Sequence, residues 1–402
     1  MTSITIQRKK IETASPVRKI VMGVFMLLLA VLLFVLFAAK VTPEVITTFV
    51  MTPGGVSVGI MGDWVIHTQT MEIILGVIVA AIGLYQVVRG FGKFTNWLLG
   101  VVAVLFVFGF ITYAASGKSM NLGGMLSNMV QLSVPIILGA FSGILCERAG
   151  VVNIAIEGMM LLGAMLGAMV GSLTNSLWFG VLAAICGGLL LAFVHAVLSI
   201  KYRINQVVSG TVINIFSTGF TSFISAMFMQ PTIYQEIFNN PPIFQRFAIP
   251  VLSEIPLIGP VLFNTNMFVY ATIIILIVLQ VALFRTKWGL RMRAVGEHPK
   301  AADTLGIDVF KTRYMAVLLG GALAGFAGAF FTLGSVGRFD EVMTAGKGFI
   351  GLAAMLFGNY TPVGAMASGL LFGFADTLGT KLSILGSVIP PEFMAMLPYL
   401  VT

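Results

Sequence analysis

Charge is the scarcest property of this chain: 9% of its 402 residues are Asp, Glu, Lys or Arg, where ordinary soluble domains carry about 25%. With 58% of residues hydrophobic, that excludes a soluble globular enzyme and leaves a polytopic membrane protein. Cysteine is nearly missing. Cys146 and Cys186 sit beside or inside apolar runs without metal-ligand spacing, so two unpaired packing thiols are expected, with no disulfide framework and no metal site. Period-two alternation is missing as well, which excludes a transmembrane barrel. No zinc-ligand signature and no nucleophile elbow occurs. Gly117-Lys118-Ser119 ends like a phosphate-binding loop, yet Thr112 stands where that motif needs glycine and no strand leads into it. The expectation is a chain that does not bind ATP by that motif, has no catalytic residue and no cofactor, and is not an enzyme. The net charge of +8 comes from Lys and Arg in short loops, where they orient a protein in the bilayer; nucleic acid is not an expected partner.

What is present is a series of apolar runs near residues 20–39, 71–88, 95–115, 123–145, 151–172, 177–199, 207–230, 267–284, 314–334, 346–358 and 362–378. A helix of about 20 residues crosses a hydrocarbon core of about 30 Å, so most of these predict full crossings, while 346–358 is short enough to be re-entrant. The expected fold is all-α and polytopic, with roughly 10–12 transmembrane helices. Arg8, Lys9, Lys10, Arg18 and Lys19 precede the first run, which is too long for a signal peptide and predicts a retained anchor with a cytosolic N-terminus in the cell membrane. That choice puts Arg89/Lys93, Glu147/Arg148, Lys201/Arg203 and Arg285–Arg313 on the cytosolic side and the proline-rich 231–265 outside. The chain ends in an apolar run that starts near Ile389, and a final helix is expected to be incomplete there. Residues 1–120 are expected to form an extension of about three helices, and 121–402 the core.

Gly139-Ala-Phe-Ser-Gly143 and Gly321-Ala-Leu-Ala-Gly325 echo each other in helices predicted to run in opposite directions, the pattern of an inverted repeat with its solute path at the repeat interface. Acids and amides inside apolar runs are path candidates, because each costs energy in hydrocarbon. Asn153 and Glu157, four apart, are expected on one helix face, with Gly158 thinning or breaking that helix. Glu157 either faces a polar cavity or binds Arg148 or an adjacent helix N-terminus. Asn214 is the deeper amide of 205–214, and Asp376 either faces a cavity or pairs with Lys381. Gly163, Gly167 and Gly171 form a ridge for close helix packing, as do Gly321, Gly325 and Gly328. His195 is expected to hydrogen-bond a neighbour. Arg338, Asp340, Glu341 and Lys347 read as a solvated, mutually paired loop. Another reading makes Glu157, His195 and Asp376 the ion-coupling groups of a secondary transporter.

Between two apolar runs lies a basic island, Arg285 to Arg313, in which Gly296-Glu-His-Pro299 precedes Ala301, Ala302, Gly306 and Ile307. Small residues on such an element let another protein approach closely.

AGVVNIAIEGMMLLGA (149–164), RINQVVSGTVIN (203–214), RMRAVGEHPKAADTLGI (291–307), GGALAGFAGAFF (320–331) and TAGKGFIGLAAMLFGNYTPVGA (344–365) together resemble the branched-chain-amino-acid/ribose-type ABC importer permeases, above all the nucleoside branch. The resemblance covers about 120–400 and implies a paired permease core, expected as a heterodimer, with an ABC ATP-binding subunit on the cytosolic side and an external substrate-binding lipoprotein. It implies a short cytosolic helix over 296–307 that couples to the ATPase, with Arg293, Gly296, Glu297, Ala301, Ala302, Gly306 and Ile307 as coupling positions. It places Glu157 to Met160 beside the path of a small polar solute such as a nucleoside, sugar or amino acid.

Overall fold

The computed structural model describes residues 16–54, 62–386 and 396. The Arg8–Lys10 cluster and the apolar run starting near Ile389 lie outside the described residues. The described chain divides into two compact units, one of residues 16–52, 62–122 and 382–386, the other of residues 53–54, 123–381 and 396. It is an all-α polytopic membrane fold, with nine helices among the described residues long and apolar enough to cross a bilayer.

The first unit is a bundle of α1 (Pro16–Leu32), α2 (Thr68–Val88) and α3 (Thr95–Ala114); α1 runs on through a π turn and a 3₁₀ turn to complete a 25-residue span ending at Lys40. Met26, Leu33, Phe37, Leu75, Val79 and Val102 form its core. Strand β1 (Ile46–Val50) pairs antiparallel with β2 (Trp64–His67) and parallel with β3 (Ser119–Asn121). Glu72 of α2 is fully buried in this bundle against Gly109, and neither of its carboxyl oxygens finds a hydrogen-bond partner among the described residues.

The second unit opens with α4 (Leu122–Arg148), α5 (Ile156–Thr174), α6 (Leu177–Ala196) and α7 (Gln206–Ile224). The proline-rich stretch that follows contains α8 (Thr232–Phe238), α9 (Ile258–Leu262) and a small hairpin of β4 (Phe247–Ala248) with β5 (Asn264–Thr265). Then come α10 (Met267–Arg285), α11 (Lys287–Glu297), α12 (Pro299–Thr304), α13 (Val309–Ala329), α14 (Lys347–Phe357) and α15 (Pro362–Ile384). Residues 296–307 are therefore no single helix: His298 ends α11, its Nδ1 accepts the Ala301 N–H to cap α12, and Gly306 turns the chain at φ +79°. Proline at the first position of α12 suits this break, since its missing N–H is unneeded there.

Two copies of one arrangement make up the core: a long helix (α4 or α13), an irregular re-entry (149–155 or 337–346), a helix that starts from it (α5 or α14), and a returning helix (α6 or α15). Contacts between glycines set the directions. Gly163 meets Gly325 and Gly171 meets Leu333, so α5 runs parallel to α13; Gly351 meets Gly139 and Met355 meets Gly143, so α14 runs parallel to α4. Gly188 against Gly321 and Gly180 against Leu333 set α6 antiparallel to α13, just as Gly369 against Ile137 and Gly373 against Ser133 set α15 antiparallel to α4. Gly139 against Met160 and Gly143 against Ile156 set α4 antiparallel to α5 and therefore to α13, so the copies are inverted, and the echo at 139–143 and 321–325 falls on corresponding long helices. At Gly163 a Cβ would lie 2.8 Å from the Gly325 Cα, so the glycine ridge is what lets these backbones touch.

Candidate functional site

Both re-entrant helices start inside the protein, and their N-termini meet at Glu157. Four N–H groups at any helix start lack intrahelical partners, so a start away from water needs acceptors. Glu157 supplies them for α14: its Oε1 accepts from Thr344 Oγ1 at 2.6 Å and from the Gly346 N–H at 2.9 Å, and its Oε2 from the Gly348 N–H at 2.6 Å. A carboxylate at a helix N-terminus also faces the positive end of the helix dipole. Asn214 does the reciprocal work for α5, its Oδ1 accepting the Gly158 N–H at 2.8 Å while its Nδ2 donates to the Ile154 carbonyl at 2.9 Å. Gly158 does not break its helix; the break precedes it, and the missing side chain admits Asn214 and Ser217, which a Cβ would approach to 2.9 and 2.7 Å. On the far side of the same α14 turn, Lys347 pairs with Asp376 rather than leaving it to Lys381.

Glu157 and Asn214 line a cavity of about 530 Å³, with Thr218, Gly346, Phe349, Leu161, Ile215 and Val342 as its other principal walls. It offers a carboxylate, an amide and a hydroxyl beside an aromatic ring, a pattern that orients a polar solute with a flat apolar face. Thr218 and Phe349 are residues that sequence reasoning missed, because nothing in one sequence shows that α7 and α14 share a wall.

Asn153 shares no helix face with Glu157. It lies in the extended re-entry, fully buried, where its Oδ1 accepts the Ala155 N–H and its Nδ2 faces the sulfurs of Cys146 and Met159. It is not among the cavity walls. His195 is fully buried, its Nδ1 3.0 Å from Ser209 Oγ and its Nε2 3.1 Å from the Val152 carbonyl. A carbonyl only accepts, so Nε2 carries a proton, and in the neutral ring Nδ1 accepts from Ser209. In the 338–347 loop, Arg338 pairs with Asp340 and Glu341 takes a hydrogen bond from Gln230, while Lys347 belongs to the helix start.

A second site lies at the end of the unit that carries residues 286–308. There a cleft of about 200 Å³ is lined by Glu147, Arg148, Arg293, Gly296, Glu297 and Tyr360. The Arg148 and Arg293 guanidiniums sit 5.6 and 5.1 Å from the Phe284 ring, within cation–π range. Of the positions assigned to coupling, Glu297, Ala301 and Gly306 are exposed, Arg293, Gly296 and Ile307 are half-buried, and Ala302 is buried at 2% exposure and so faces inward. Leu305, 80% exposed beside Gly306, is an apolar knob on this surface that the sequence reading passed over.

An inverted repeat with re-entrant helices and a largely apolar cavity bearing a few polar groups where their N-termini meet, next to a surface of two short helices, defines a membrane transport protein of the permease class. The chain belongs to the family described as branched-chain amino acid transport system / permease component, which it matches over residues 125–402. It is 38% identical to the nucleoside ABC transporter permease NupC of Lactococcus lactis over 69% of this chain and 89% of that protein. Similarity to the guanosine ABC transporter permease NupQ of Bacillus subtilis is also 38%, over 67% and 86% of the two chains. A putative glucose ABC transporter permease of Haloferax volcanii is 34% identical over 69% of this chain and 89% of its own length. No solved structure matches the chain.

Proposed function

We propose that this chain is the membrane-spanning permease subunit of an ATP-driven importer of nucleosides. The observation that carries the substrate reading is the cavity in which the Glu157 carboxylate, the Asn214 amide and the Thr218 hydroxyl stand beside the Phe349 ring. Ribose hydroxyls hydrogen-bond to the first group of side chains, and a base packs on the ring. The nucleoside and guanosine permeases that the chain resembles over most of their length support the same substrate.

In this reading α11 and α12 receive the ATP-binding subunit through Arg293, Gly296, Glu297, Ala301, Gly306 and Ile307, with Ala302 seating α12. Arg148, Lys201, Arg203 and the 285–313 island lie toward one side by the helix directions, which supports a cytosolic position for that side, and the basic residues ahead of the first apolar run support a cytosolic N-terminus. The cavity opens to the surface of the chain, which suits a second permease subunit as its other wall, and the opposite side receives the substrate-binding lipoprotein. Residues 1–120 are an extension added to the transport core. Alternating access then moves the re-entrant helices, α5 and α14, whose N-termini meet at the solute.

The ion-coupled reading needs Glu157, His195 and Asp376 to share a path. Each has partners of its own: Glu157 the 344–348 turn, His195 Ser209 and Val152, and Asp376 Lys347. The test is uptake of radiolabelled nucleosides and sugars by cells expressing this chain with its partner subunits. Nucleoside uptake that stops on ATP depletion is expected. Uptake that survives depletion and collapses with the ion gradient, or that is confined to sugars, overturns the proposal.

A further inference from the structure

Arg148 and Glu157 are nine residues apart, on either side of the break between α4 and α5, and they hold opposite ends of α14. Glu157 takes its N-terminus. Arg148 takes the turn that follows its C-terminus, Nε and Nη2 donating to the Tyr360 carbonyl at 3.1 and 2.8 Å. An 11-residue helix is about 16 Å long, and nine residues of extended chain reach up to about 30 Å, so the 148–157 segment is long enough to lie along α14 from end to end.

That segment is itself fixed from the side. The Val152 N–H donates to Gln206 Oε1 at 2.7 Å, the Val152 carbonyl faces His195 Nε2, and the Ile154 carbonyl accepts from Asn214. Polar residues of α6 and α7 thus serve as backbone partners for an extended strap that has no strand to pair with. At its other end the strap meets α11. A Cβ on Gly296 would fall 2.4 Å from the Arg148 carbonyl, so the last turn of α11 packs directly on the backbone of the 148–150 turn. Gly150 holds that turn at φ +76°, and Arg313 Nε donates to the Ala149 carbonyl at 3.2 Å.

Arg148 touches both sides: its carbonyl lies under Gly296, its guanidinium holds Tyr360, and α14 carries Gly346 at its N-cap and Phe349 in the cavity wall. We propose that Arg148 is a positioning residue of the transport cycle, which carries displacement of the α11–α12 segment into α14 and so into the solute cavity. This rests on the ATP-driven reading above. A shift of about 1–2 Å at a packed helix is the usual size of such a movement, and a guanidinium fork resists it better than a single donor.

The test uses the complete transporter in proteoliposomes, with uptake and ATP hydrolysis measured together. In Arg148→Gln, uptake per ATP hydrolysed is expected to fall about tenfold, a coupling loss within the range seen for residues remote from both ligands, while the KM for solute changes less than about twofold. Arg148→Lys, with one donor in place of the fork, recovers part of the ratio. A purely structural role lowers the amount of complex, uptake and hydrolysis in step and leaves the ratio unchanged, which overturns the inference. If Arg148→Gln does not assemble, Phe284→Leu serves instead. It removes the ring beneath the guanidinium and is expected to lower the ratio about twofold to threefold, and an unchanged ratio there also overturns the inference. A wild-type complex whose uptake ignores ATP fails at the first arm, overturning the transporter reading and this inference together.

Discussion

Oε2 of Glu157 accepts the Gly348 N–H at 2.6 Å across 191 positions of sequence, and a Cβ on Gly348 would stand 2.6 Å from the Glu157 Cα. The two residues are fitted to each other: the carboxylate needs the N–H, and only glycine lets the backbones come close enough. Gly348→Ala is expected to force α14 away from α5 and to lower the melting temperature of the purified protein. Glu157→Gln turns one acceptor oxygen into a donor that faces N–H groups, at a cost of about 1–3 kcal/mol, and is expected to abolish uptake. Wild-type stability in Glu157→Gln would show that this helix start needs no such acceptor, and in Gly348→Ala that the two backbones need not come so close.

The pairing of Lys347 with Asp376 predicts non-additive variants. Asp376→Asn and Lys347→Met each leave a half-enclosed partner uncompensated, so the double variant is expected to be more stable than the sum of the singles by about 1 kcal/mol or more. A double-mutant cycle in thermal unfolding measures this, and strict additivity would show that the pair contributes nothing.

Neighbouring alanines on α12 should behave differently. Ala301 is exposed, so Ala301→Arg is expected to leave the permease folded but unable to retain the ATP-binding subunit through co-purification, as is Leu305→Asp. Ala302 is buried, so Ala302→Arg should lower the amount of permease itself. If Ala301→Arg retains the ATPase fully, this surface is not where it docks.

Glu72 is enclosed with both oxygens lacking partners among the described residues, an arrangement that costs stability. Glu72→Met keeps the volume and removes the polar group, so a rise in melting temperature is expected, equivalent to about 1–3 kcal/mol. A fall would reveal a partner that Glu72 holds in the working protein.

Much of the fold was legible because hydrophobic run length is a one-dimensional property: the helices, the short segment at 346–358 and the opposed echo of 139–143 and 321–325 all appear as expected. The glycine ridge at Gly163, Gly167 and Gly171 was legible for the same reason, since four-residue spacing marks one helix face whatever lies opposite. The site was less so. Glu157 was singled out as a costly buried acid, and a helix N-terminus was among the partners considered for it, but which one could not be read. Sequence spacing puts Asn153 on a helix that starts three residues later, and offers Asp376 either a cavity or Lys381, the basic residue nearest in sequence, when its partner is Lys347. Ala302 has the residue type of a docking surface, yet in space it faces inward.

By itself the sequence determined that this chain lives in a bilayer, how many helices its apolar runs can build, and which polar residues must be explained, because transfer of each segment into hydrocarbon depends on its own composition. Only the tertiary structure decided what those polar residues do. Glu157, Asn214, His195 and Gln206 prove to be partners for backbone that two broken helices leave unpaired, and that pairing depends on which segments meet across as many as 191 positions of sequence.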